Sequence, residues 1–327
     1  MPDILAYRIP SKDKVQQYGV FTSARKPFTE GFYISNADKS AIYRFEEDEN
    51  TKENKEEPLF FSDRPPYSVS KKEYLIGAES LLNSFPIFNL RKAVYGRIKT
   101  IHFDSNKCFE LYDQLMEDHP NAFVYLVSSP QFGTWIGATP ELLLSMHGRQ
   151  GYTMSLAGTR KVGELVNDWE DKEVEEQYLV SEYIQNRLLT QELKEIEQHG
   201  PFDMEAGPVR HLRTDFSFFS PDKNAMEIAL ELHPTPAVAG VPTKVAQDLI
   251  ATLEPFHRDL YTGFIGSISD EHSYLYVNLR CCQIQDGKAF LYLGGGYTSQ
   301  SVPEDEWEET ENKARTLLNS IEKVNPS

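Results

Sequence analysis

The chain has 327 residues, enough for one large domain or two ordinary ones, and its 40% hydrophobic and 12% aromatic content supplies ample core. With 33 Lys and Arg against 50 Asp and Glu, the net charge of −17 argues against nucleic acid or an anionic membrane as partner, and an anionic small ligand would need a local positive site. The three cysteines, Cys108 and the adjacent Cys281 and Cys282, form no disulfide framework; with no secretory segment and no apolar run of about 18 residues, a soluble cytoplasmic protein is expected.

Residues 1–62 read as short β segments, such as 31–35 and 41–45, with the charged run 46–57 as an exposed loop. Tyr74, Leu75, Ala78, Leu81 and Leu82 recur at helical spacing. Residues 89–100 read as a strand whose alternation sets Lys92 on the face of Val94, Gly96 and Ile98. A lysine on an apolar face either snorkels to water from the strand end or has a function, and burial would lower its pKa. A helix at 108–116 leads to strands at 123–128, 134–138, 142–146 and 152–156. Glu141 follows Pro140 and opens an apolar run; it is either an exposed turn residue or a carboxyl at the mouth of a buried strand, where its pKa would rise.

The longest helix expected runs over 168–196, with an apolar stripe at Leu179, Val180, Tyr183, Ile184 and Leu188. Extended backward, that stripe reaches Glu176 and Glu173. His211 lies in an alternating segment, where a histidine is ordinarily a satisfied core residue. Helices near 225–230 and 246–253 flank the loop 232–242, which has three prolines. Strands follow at 261–268 and 274–284, and Arg280, read as mid-strand, must meet an anion.

An apolar strand at 289–293 runs into Gly294, Gly295 and Gly296, whose missing Cβ atoms would let backbone N–H groups turn toward an anion. Pro303 then opens a helix on which Glu306, Glu309 and Lys313 share one face. Two helices thus each carry a Glu pair at i and i+3. This is either the geometry of a site for a hard ion such as Mg²⁺, or acidic first turns that complement the helix dipole.

The chain resembles the chorismate-utilising enzymes, and within them the isochorismate synthases. The resemblance rests on RKAVYGR (91–97), GATPELLL (137–144), LAGTR (156–160), KEVEEQYLV (172–180), His211 and Leu212, LHPTPAVAG (232–240), EPFHRDLYTG (254–263), Leu279 and Arg280, and GGG followed by EWEETENK; FTSARKPF (21–28) is a weaker match. These stretches stand in family order over about the last three quarters of the chain. The resemblance implies an α/β fold of α+β type: one domain over 1–327, with large antiparallel sheets packed face to face and helices outside, residues 1–62 being its less typical part.

It further implies that Lys92 activates water for attack at C2 of chorismate while Glu141 protonates the departing C4 hydroxyl. Glu176 and Glu309 would hold Mg²⁺, with Glu173 and Glu306 beside them. Arg280, Lys313, Gly294, Gly295 and Gly296 would bind substrate carboxylates, with His211 beside the ring and Gly158 and Thr159 also binding substrate. Ala157 stands where aminodeoxychorismate synthases often carry a nucleophilic lysine, and Lys92 stands where anthranilate synthases typically lack one, so water is the expected nucleophile. The alternatives are a salicylate or anthranilate synthase-like enzyme and a degenerate chorismate-binding protein. Departures are GGG for Gly-Ala-Gly, Glu173 for a frequent Asp, and Gln177 for the family's usual histidine. The implied partner is the small molecule chorismate, with the chain a monomer or weak homodimer; menaquinone and catechol siderophore routes both stay open.

Overall fold

The computed structural model describes residues 2–48, 59–62, 64–161, 169, 171–206, 209–285 and 287–326. Its sixteen strands are β1 Asp3–Arg8, β2 Lys14–Ser23, β3 Gly31–Ser35, β4 Ile42–Glu47, β5 Lys92–His102, β6 Phe123–Ser129, β7 Gly133–Thr139, β8 Leu142–His147, β9 Gln150–Lys161, β10 Lys194–Ala206, β11 Val209–Phe219, β12 Gly240–Val241, β13 Phe264–Ile268, β14 His272–Val277, β15 Cys281–Gln285 and β16 Lys288–Tyr297. The helices are α1 Lys71–Phe88, α2 Cys108–Asp118, α3 Asp171–Thr190, α4 Ala225–Leu232, α5 Thr243–Leu253 and α6 Pro303–Val324.

All ladders are antiparallel and join in one order, β10-β11-β9-β8-β14-β13-β3-β4-β2-β1-β6-β7-β15-β16-β5-β12. The antiparallel sheets expected to pack face to face are here two halves of one continuous sheet that share an inner core. Strand β6 shows why. Its alternate residues Phe123, Tyr125 and Val127 enter a core shared with Phe32, Ile34 and Ile265 of the other half, while Val124 and Leu126 pack outward with Leu111, Leu115, Leu317 and Ile321 of α2 and α6. A strand covered on both faces reads as an unbroken apolar run, as β6 does. Helices α3 and α4 cover the other half through Val180, Ile184, Leu188 and Ile228, and α1 and α5 close the β5 end.

Two expectations are corrected. The helix expected over 168–196 ends at Thr190, and Lys194 begins β10, the outermost strand, paired with β11. The strand expected over 274–284 breaks at residues 278–280, so Arg280 is not mid-strand but precedes β15 in a left-handed conformation, φ 48°. Asn278 anchors the break, accepting from Tyr125 Oη at 2.6 Å and donating to the Leu260 carbonyl at 2.8 Å.

Helix α6 is fixed to β5 by Arg97, which is 1% exposed, donates to Thr310 Oγ1 at 2.7 Å, pairs with Glu311 and lies 3.8 Å from the centre of the Trp307 ring. Lys99 pairs with the same Glu311 at 2.6 Å from a half-exposed position. Removing a buried guanidinium strands its partners, whereas a wetter ion pair contributes little. Arg97→Ala should therefore lower unfolding free energy by about 2–4 kcal/mol and Lys99→Ala by under about 1 kcal/mol in urea titrations. Equal losses would contradict this account of how α6 is held.

Candidate active site

Two chain crossings between the halves of the sheet meet at one cavity. Residues 140–141 connect β7 to β8, and residues 278–280 connect β14 to β15; each crossing contributes a charged cavity residue, Glu141 and Arg280. They are stitched together by Val277 N–H donating to the Glu141 carbonyl at 2.9 Å, Ala138 N–H to the Arg280 carbonyl at 3.0 Å, and Thr139 Oγ1 to the Val277 carbonyl at 2.5 Å. The cavity also takes Lys92, Gly158, Glu173, Glu176, His211, Gly294, Gly296, Glu309 and Lys313.

Lys92 is the first residue of β5, and its side chain is only 2% exposed. It does not snorkel. Its Nζ donates to Glu176 Oε1 at 2.7 Å, on α3, because a buried ammonium needs an anion. Burial pushes the Glu141 carboxyl up to about 7, against the opposing pull of Lys92, Arg280 and Lys313. The residue keeps some surface exposure, yet protein crowds it enough for desolvation to prevail. Burial lowers the Arg280 pKa, opposed by Tyr261, Glu309 and Glu141.

Gly158 has φ +69° and is the extra residue where β9 and β11 change register, with Thr159 facing His211 and Ala157 facing Leu212. This bulge directs His211 to the cavity, where its Nδ1 meets the Gly158 carbonyl at 3.0 Å. Burial lowers the His211 pKa, and Arg280 and Lys313 reinforce the shift. It is therefore no ordinary core histidine. Thr159 lies in β9, but its side chain falls outside the described residues. Gln177, where the family's histidine is usual, points at the sheet: its amide donates to Ser155 Oγ at 2.8 Å and Thr214 Oγ1 at 3.0 Å, securing α3 to β9 and β11.

The glycine triplet does not leave the strand. Gly294, Gly295 and Gly296 continue β16, opposite Gly96, Tyr95 and Val94 of β5. What matters is their missing Cβ. A Cβ would stand 2.6 Å from Tyr261 Oη at Gly294, 2.9 Å from Glu306 Oε2 at Gly295 and 2.8 Å from Glu176 Oε1 at Gly296. Alternation sends Gly294 and Gly296 to the cavity and Gly295 to the opposite face. Glu306 follows Gly295: it is 1% exposed, accepts from Ser301 Oγ at 2.7 Å and does not line the cavity. Lys313 does, donating to the Gly294 carbonyl at 2.9 Å and pairing with Glu309 at 2.5 Å.

Tyr261 lines the cavity and was assigned no role from sequence. It lies in an irregular loop, where no periodicity marks it. The loop is clamped by Arg258, which donates to the carbonyls of Val94 at 2.6 Å and Val238 at 2.9 Å and pairs with Glu254 at 2.6 Å; Glu254 in turn accepts from Gly96 N–H at 2.7 Å.

The cavity thus has three cationic against four acidic side chains, a formal balance of minus one. Among the described residues, no three acidic, histidine or cysteine side chains gather into a ready-made metal cluster. The carboxylates of Glu176 and Glu309 each hold an ammonium instead. The carboxylates of Glu176 on α3 and Glu309 on α6, facing the Cβ-free Gly294 and Gly296 of β16, are hard oxygen donors of the kind that fits an ion such as Mg²⁺, which takes one or two carboxylates and completes its shell with water and substrate.

A buried, charge-lined cavity at the seam of an all-antiparallel sheet defines an enzyme-like small-molecule site. The chain belongs to the chorismate binding enzyme family, whose model matches residues 12–322. It is 33% identical to the isochorismate synthase EntC of Escherichia coli over 224 residues, 64% of this chain and 56% of that protein's length. It is 31% identical to the isochorismate synthase DhbC of Bacillus subtilis over 278 residues, 76% of this chain and 68% of that protein. The fold superposes on MenF, the menaquinone-specific isochorismate synthase of Escherichia coli, with TM-score 0.78 and 22% identity over 98% of this chain and 89% of that one. Anthranilate synthase component I of Streptococcus pneumoniae matches with TM-score 0.71 and 18% identity, over 97% and 90% of the two chains.

The Glu141 pKa has a thermodynamic consequence. The folded protein keeps a proton there that the unfolded chain releases between about 4.5 and 7, so stability at this position falls as pH rises through that window. Glu141→Gln, neutral and of the same shape, should raise Tm at about pH 8 and leave it nearly unchanged at about pH 4, below the unfolded-state value. A difference that did not vary with pH would refute the assignment.

Proposed function

We propose that the chain is a Mg²⁺-dependent isochorismate synthase, an isomerase that adds water at C2 of chorismate as the C4 hydroxyl departs. The observation that carries this reading is Lys92 and Glu141 in one cavity, with the Glu141 carboxyl pushed up to about 7. Near neutral pH, a carboxyl of that pKa retains a substantial protonated fraction and can act as an acid. The family model and the names of the relatives support the substrate class.

Water gives its oxygen to C2 and a proton to Lys92; both ring double bonds shift by one position, and the C4 hydroxyl takes a proton from Glu141 and leaves as water. Lys92 acts as the base in its neutral form, held in place by Glu176 Oε1 2.7 Å from its Nζ. Arg280 and Lys313 bind the carboxylates of the dianion, and the Tyr261 hydroxyl above Gly294 supplies a further donor. His211 stands beside the ring. Glu176 and Glu309 would hold Mg²⁺, with Glu173 beside them and Glu306 buttressing the strand from behind, and the ion would bring positive charge to a cavity that must take a dianion on a balance of minus one.

With chorismate as substrate, EDTA should abolish isochorismate formation and Mg²⁺ should restore it, as read by chromatography; full turnover in EDTA would sink the metal site. Ammonium should not divert the product to anthranilate or its amino precursor, and Lys92→Ala should lose about 10²-fold or more in kcat/KM, the scale of a lost general base. An aminated main product would reverse the choice of nucleophile.

A further inference from the structure

At the end of β8 far from Glu141, His147 stands directly across from His272 of β14. Both are exposed, and their rings meet edge to face with centres 4.7 Å apart. The Gly148 N–H donates to the Glu271 carbonyl at 2.9 Å, which identifies His147 and His272 as a non-hydrogen-bonded cross-strand pair, the type in which side chains approach most closely. Tyr274, two residues along the same face, places its hydroxyl 3.3 Å from His147 Nε2. Lys12 lies 4.6 Å from the centre of the Tyr274 ring.

We propose that His147 and His272 form a two-imidazole chelate for a nitrogen-preferring dication such as Zn²⁺, Ni²⁺ or Cu²⁺, separate from the carboxylate-lined cavity. Imidazole is a ligand for these ions, whereas Mg²⁺ takes oxygen and has little use for it. In the ligating tautomer, His147 Nε2–H donates to the Tyr274 oxygen and Nδ1 binds the ion, the outer hydrogen bond that commonly orients a metal-bound histidine. Rotation of two exposed side chains about their χ angles closes the chelate, and water completes the shell. The ion would pin β8 to β14, strands whose other ends, at Glu141 and Val277, border the cavity.

The test is calorimetric titration of the full chain with Ni²⁺, with Mg²⁺ in excess so that oxygen sites are filled. One Ni²⁺ per chain is expected, with a rise in Tm. His147→Ala and His272→Ala should each weaken binding by about tenfold or more, since a ligand matters at least as much as the hydrogen bond that supports one. Both positions are on the surface, so the variants should fold as the parent does. Loss in only one of the two variants, or unchanged Ni²⁺ binding in the double variant, overturns the chelate.

Discussion

The Lys92 to Glu176 ion pair is the contact around which the site is arranged. It joins the first residue of a buried strand to a helix 84 residues away in sequence, at 2.7 Å. Two charges with side chains 2% and 18% exposed must match closely, because desolvating them is expensive and only good geometry offsets it. That match constrains the backbone: Glu176 can reach Lys92 only because residue 296 has no Cβ, which would stand 2.8 Å from the carboxylate and 3.4 Å from Lys92 Cε. A glycine inside a strand weakens it. Here it makes room for the charge pair.

The same economy extends to the backbone groups at the site. Gly96 N–H is taken up by Glu254 and the Gly294 carbonyl by Lys313, so side chains serve polar groups of the β5 and β16 strands. Arg258 then ties Glu254 to the carbonyls of Val94 and Val238. Val238 belongs to the proline-rich loop and lines the cavity, so one guanidinium aligns a strand, a helix end and a cavity wall.

Much of this was legible in sequence where one physical signal dominated. Short apolar runs marked β6 to β9, and Pro303 with the acidic first turn marked α6. Lys92 stood out because an apolar strand face is a poor place for an ammonium. The errors arose where tertiary context overrode local signals. Residues 194–199 have the composition of a helix, with Lys, Glu and Gln, yet form an outer strand because β11 offers a partner, and propensity is a weak prior against pairing. The strand expected to end at Leu293 instead runs on through the three glycines, because ten consecutive pairings with β5 hold them extended. Neither the left-handed Arg280 nor the position of Tyr261 has a local signature, since both depend on where the sheet crosses itself.

That crossing accounts for how Glu141 and Lys92 are brought together. Glu141 and Arg280 sit on two connections between the halves of the sheet, whereas Lys92, Gly294 and Gly296 come from β5 and β16, neighbouring strands toward one end of the sheet. Their separation is therefore set by the inner core, in which Trp135, Tyr292, Tyr261 and Ile98 pack with Phe32, Ile34 and Ile265. A close-packed core changes dimension reluctantly, so it acts as the rigid spacer that keeps a carboxyl in a dry environment opposite a lysine. Separation of the two along the chain, 49 positions, is thus irrelevant to their chemistry. What counts is that the sheet folds over at the point where its charged crossings face its glycine-bare strands.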